Sequence, residues 1–106
     1  MATFKASFVE VNVQTRVGTM PVPNLSTALR LNNLTTTGSS AIVQYGGADW
    51  EAPKAGFIMV VCDGAVDIAA GSAPTAGATA GVHVPANTPR EFSVLAGDKL
   101  AVINAA

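Results

Sequence analysis

Few side chains in this sequence are of the kinds that do covalent chemistry. One histidine, one cysteine and seven carboxylates are the whole supply in 106 residues. His83 sits between Val82 and Val84, and on an extended segment its side chain points away from the two valines. If the valines face a core, His83 faces solvent or a partner. Acid–base work also needs a nucleophile in reach and a group that orients the ring. No nucleophile elbow or cysteine-protease signature surrounds any serine or Cys62. Cys62 ends the run Phe57-Ile58-Met59-Val60-Val61-Cys62, which reads as a buried, inert thiol.

The carboxylates are no closer to an active site. Asp49 and Glu51 flank Trp50 and would share a face if extended, but they read as a solvated loop whose aromatic tucks onto the body. Asp63 and Asp67 read as turn and strand-surface residues. Glycines recur at 46–47 and between 77 and 81, yet no Gly-Lys-Ser/Thr follows and no helix is predicted to receive a phosphate. A single cysteine makes no internal disulfide, and one histidine does not supply the three or four ligands of a transition-metal site. The expectation is a protein with no catalytic residue, no metal and no cofactor, and not an enzyme.

Charge is the more telling property. Only 12% of residues are charged and the net charge is −1, against roughly 25% charged in ordinary soluble proteins. The six basic residues are scattered singly from Lys5 to Lys99, which gives no footprint for nucleic acid. With 49% apolar residues, disorder is also excluded. So little charge to hold neighbours apart favours permanent association. The start carries no basic region followed by an apolar stretch, so no signal peptide is expected. The run from Ala55 to Cys62 is far short of the roughly 20 apolar residues that span a membrane.

These residues must be held by strands. Phe4, Ala6 and Phe8 alternate with polar neighbours, then Val9, Val11 and Val13 take over in the opposite phase, which predicts a β-bulge at Phe8-Val9. Pro21 and Pro23 confine residues 20–23 to a sheet edge. Leu25, Leu29, Leu31 and Leu34 fit either one or two helical turns capped by Asn24 or Ser26, or a short irregular strand. From residue 40 onward the pattern is all β. Strands are expected at 41–45, 57–62, 65–69, 81–84, 91–95 and 99–103, with Asp63-Gly64 as a two-residue hairpin turn at positive φ. Residues 69–81 hold no charge and nothing larger than Pro or Thr, so they form a loop, flexible or pinned by a neighbour. The sum is one domain over residues 1–106. It is all-β, a compact antiparallel β-sandwich of jelly-roll-like form with a long small-residue loop and at most one short helical turn.

Three segments carry a resemblance. They are Ile68-Ala69-Ala70-Gly71-Ser72-Ala73-Pro74-Thr75-Ala76, then Val84-Pro85-Ala86-Asn87-Thr88-Pro89-Arg90-Glu91-Phe92, and the terminal Gly97-Asp98-Lys99-Leu100-Ala101-Val102-Ile103. Their order resembles small virion proteins of tailed bacteriophages, many of which are capsid decoration (cement) or head-associated β-sandwiches. The likeness covers residues 57–103, and its motifs are turns and strands rather than a chemical signature. It implies a decoration protein that binds the major capsid protein on the virion surface after synthesis in the host cytoplasm. The implied form is a homo-oligomer, a trimer favoured over a dimer, with no nucleic acid or membrane partner. Residues 1–13 are then an N-terminal strand or arm that reaches another subunit by strand addition. Phe4, Phe8, Val9, Trp50, Pro74 and Thr75 are the candidate interface residues, and deleting residues 2–8 should release the protein from capsids while leaving the sandwich folded. The alternative is a head-fibre or tail-attachment module binding carbohydrate or a cell surface. A cupin-like enzyme comes a distant third, because such barrels hold metal with several histidines.

Overall fold

Apolar alternation along the chain resolves into antiparallel strands. In the computed structural model, which describes residues 2–14, 20–77 and 81–105, these are β1 (Thr3–Gln14), β2 (Met20–Arg30), β3 (Leu34–Thr35), β4 (Ala41–Ile42), β5 (Gln44–Tyr45), β6 (Ala48–Asp49), β7 (Gly56–Cys62), β8 (Val66–Gly71), β9 (Val82–Val84), β10 (Arg90–Val94) and β11 (Lys99–Asn104). One sheet runs β10-β7-β1-β2 with β3 also paired to β1, and a second runs β4-β11-β8-β9. The inner faces meet in one cluster. Phe4, Ala6, Phe8, Ile58, Val60, Cys62 and Val94 come from the first sheet, and Val66, Ile68, Val84, Leu100 and Val102 from the second. The two-sheet antiparallel layout is the sandwich expected from the pattern.

From β7 onward the chain passes between the sheets at three corners, and each has its own chemistry. The first is Asp63-Gly64, and here the hairpin expectation is overturned: β7 and β8 lie in different sheets, and neither residue has positive φ. The glycine serves close packing instead, since a Cβ on Gly64 would come within 2.9 Å of the Ala2 methyl. Asp63 Oδ1 meanwhile accepts the Thr3 N–H at 2.8 Å. The second corner is the stiff link between Pro85 and Pro89. Asn87 turns it at φ +56, a left-handed conformation that asparagine tolerates better than most residues, and its N–H bonds Cys62 O at 2.7 Å. The third is Ala96-Gly97-Asp98, where Gly97 has φ +89 and Asp98 Oδ2 accepts the Leu95 N–H at 2.9 Å. A two-residue hairpin does occur, between β5 and β6. Gly46 and Gly47 take φ +64 and +88, the signs that a type I′ turn needs at both positions.

Residues 25–34 contain no helix. Strand β2 runs to Arg30, and Leu29 and Leu31 reach the core two residues apart, the period of a strand rather than of a helix. The pairing of β1 with β2 shifts register between Phe8 and Glu10, where a bulge is expected, but the extra residues are not in β1. Strand β1 pairs with β7 without interruption from Phe4↔Cys62 to Glu10↔Gly56. The irregularity belongs to β2: while β1 goes from Phe8 to Glu10, its partner goes from Leu29 to Asn24. The phase slip in the sequence has a different cause, since Phe8 is buried in the core and Val9 is buried on the opposite face. Pro21 and Pro23 do lie on an edge strand, β2. The small-residue loop starts later than expected because β8 continues through Gly71. Its Ala76 is buried and donates its N–H to Ser40 Oγ at 3.0 Å. Residues 78–80 lie outside the described residues.

Candidate interaction surfaces

The lone histidine faces outward. Val84 is fully buried while His83 is exposed, and Nδ1 lies 3.2 Å from Asp67 Oδ1 on the neighbouring strand. Val82 departs from the expectation, being half exposed. Among the described residues no three His, Cys, Asp or Glu side chains converge as metal ligands would. Cys62 is a free thiol inside the core. Asp49 and Glu51 are exposed on either side of a buried Trp50.

The candidate interface residues divide sharply. Phe4, Phe8 and Trp50 belong to the core, where the Phe8 and Trp50 rings stack at a tilt with centroids 5.3 Å apart. Val9 is only 2% exposed. These four are enclosed by the chain itself and present nothing to a partner, a correction that for Phe4, Phe8 and Val9 follows from the place of β1: it is an inner strand, flanked by β7 on one side and by β2 and β3 on the other. Pro74 is half-buried and Thr75 exposed at the rim of a cleft of about 480 Å³ between β9 and β10. The structure does not bring the six together.

Two other surfaces do face outward. The first is a two-stranded ribbon. Past Glu10↔Gly56, strand β1 has no partner in β7, yet it continues against β2 through Val11↔Pro23, Asn12↔Val22, Val13↔Pro21 and Gln14↔Met20. At ~3.3 Å per residue these four pairs extend about 13 Å beyond the body. Between Val11 and Leu29 the sequence has one charge, Arg16. The sequence signal for this arm was present in the proline-bearing edge strand, but strand pairing was needed to show that it outruns the sheet.

The second surface is the outer face of the first sheet. Register places Arg30, Ser7, Met59 and Glu91 in one row across β2, β1, β7 and β10, with Lys5 beside Val61 in the next. A shallow concavity of about 540 Å³ lies over them, bounded also by Arg90. Lys5, Arg30 and Arg90 are single charges far apart in sequence, so only the sheet gathers them.

Comparison with known proteins gives no match: no family model, curated protein or solved structure corresponds to the chain. Among the described residues no helix is long and apolar enough to cross a membrane.

Proposed function

We propose that the chain is a structural virion protein of a tailed bacteriophage, a decoration (cement) protein that binds and stabilises the shell of major capsid protein. It acts as a homo-oligomer, a trimer favoured over a dimer, on the capsid surface after synthesis in the host cytoplasm, and it has no catalytic role. The observation that carries this reading is the nearly uncharged ribbon projecting from a closed sandwich. A ribbon whose outer edges have no partner strand among the described residues offers its main chain for strand addition. Many copies on one shell then bind through avidity where one contact would be weak. The resemblance to virion proteins points the same way, and two of its three segments, 84–92 and 97–103, include turns between the sheets.

A carbohydrate-binding module is less well supported. Such a surface wants clustered exposed aromatics, and Trp50 is buried, leaving Tyr45 as the large exposed aromatic among the described residues. The test is add-back of the purified chain to heads assembled from the major capsid protein of the same phage, read by co-sedimentation. Binding that saturates at a fixed copy number per shell is expected. Failure to saturate, or no binding at all, overturns the reading.

A further inference from the structure

The two sheets do not close at one side of the sandwich. Strand β10 ends the first sheet and β9 ends the second, and among the described residues no strand pairs with the free edge of either. Register turns their apolar residues inward. Phe92 stands opposite Ile58 and Val82 opposite Ile68, so each shares a face with a buried isoleucine. Yet Phe92 is only half-buried and Val82 is 50% exposed. The cleft of about 480 Å³ lies over them, with Ile58, Ile68, Val94 and Leu100 at its floor and no charged residue in its walls. Inward-facing apolar side chains left in water beside two unpaired main-chain edges are what a sandwich shows where one strand is missing.

A strand that fits this gap must be short, extended and uncharged, with apolar residues at alternate positions. The chain carries one. Past Glu10, Val11-Asn12-Val13-Gln14 alternate apolar and polar and have no partner in β7, which leaves one edge of the strand open. Pairing with β2 holds these four residues extended, and β10 has five. We propose that a second copy of this chain lays this edge of its ribbon along the free edge of β10, with Val11 and Val13 turned into the cleft over Phe92 and Val82. Main-chain hydrogen bonds to β10 give the contact its strength, and the alternate valines fix its register. With no charge on the added strand or in the cleft walls, the contact persists at high salt. The β2 edge of the same ribbon, which has no partner strand among the described residues, stays open to the shell. Ribbon and cleft are unlike surfaces, so the contact runs head to tail. The inference rests on the assembly proposed above and names its self-contact.

The test mixes two variants of the purified protein in analytical ultracentrifugation, each spoiled on one side of the contact. One has residues 11–23 replaced by an Asn-Gly turn and keeps the cleft. The other carries Val82→Glu and keeps the ribbon. The wild type should associate at low and high salt alike. Each variant alone should associate at least about tenfold more weakly, the second because its carboxylate would be buried without a partner. Mixed, they should form a one-to-one complex, since the pair retains one intact ribbon and one intact cleft. Val82 is half exposed, so Val82→Glu should still melt cooperatively. Thr75→Glu, on the exposed rim, is a second cleft variant and should behave alike. A wild type that stays monomeric leaves the cleft to a strand of the shell and overturns the proposal. So does association that salt abolishes, a variant that associates like the wild type, or a mixture that stays monomeric. Co-sedimentation with shells separates this from the functional reading. A monomeric wild type that still saturates the shell overturns the self-contact alone, and one that associates as expected but ignores the shell overturns the functional reading alone.

Discussion

Strand β1 lives in two environments. Over residues 4–10 it pairs with β7 on one side, with β3 and then β2 along the other, and it supplies Phe4, Ala6 and Phe8 to the core. Over residues 11–14 it has β2 alone. A two-stranded ribbon is marginal by itself in water, whereas a strand paired on both edges with buried side chains carries the cooperative stability of the domain. The first half of β1 therefore holds the fold and the second half is free to hold something else. Gly56 marks the boundary. It pairs with Glu10 at the last three-stranded rung, and a Cβ there would clash with the Val9 carbonyl and the Phe8 ring.

Each prediction probes one side of that boundary. The largest effect is expected from deleting residues 2–8: contrary to the expectation of a detachable arm, this removes an inner strand of the first sheet and with it two core aromatics. The truncated chain should show no cooperative thermal transition by circular dichroism, and a sharp melt near that of the wild type would mean that β1 is dispensable. Phe8→Ala leaves a hole beside Trp50 and should cost about 4 kcal/mol in urea unfolding. Gly56→Ala should cost about 2 kcal/mol, because overpacking at a backbone contact forces the strands apart; a cost close to zero would show the rung to be loose. Thr36→Val is expected to cost about 1.5 kcal/mol. The buried Thr36 hydroxyl accepts the Ala2 N–H and bonds the Asn104 side chain, so it ties the start of β1 to the end of β11, and its loss should be read in the same unfolding assay.

The two halves of β1 were not equally legible in the sequence. Alternation identified the strand, and the prolines at 21 and 23 identified its partner as an edge. What alternation does not encode is which strand stands on the other side, so a strand at the start of the chain was read as an arm while its first half is interior. Phe4 and Phe8 looked available to a partner for that reason, and Trp50 for a related one: an aromatic between two carboxylates is compatible with a core or a surface. Asp63-Gly64 failed differently. The dipeptide permits a hairpin, but its glycine is required here by the Ala2 methyl and its aspartate by the Thr3 N–H, both distant in sequence. The two-residue turn at Gly46-Gly47 was missed although its demand is local, two successive positive φ values. The outer-face concavity was illegible because Lys5 and Arg30 come together only through the register of the first sheet.

One variant separates the ribbon from the body. Replacing residues 11–23 by an Asn-Gly turn closes β1 onto β2 at the Glu10↔Asn24 pair and leaves the three-stranded part of the sheet untouched. The measurement is shell occupancy by co-sedimentation, with the melting temperature taken on the same sample. The prediction is a melting temperature within about 5 °C of the wild type, as for a change costing no more than about 1 kcal/mol, with occupancy of the shell lost. A variant that melts normally and still fills the shell to the wild-type copy number would contradict it.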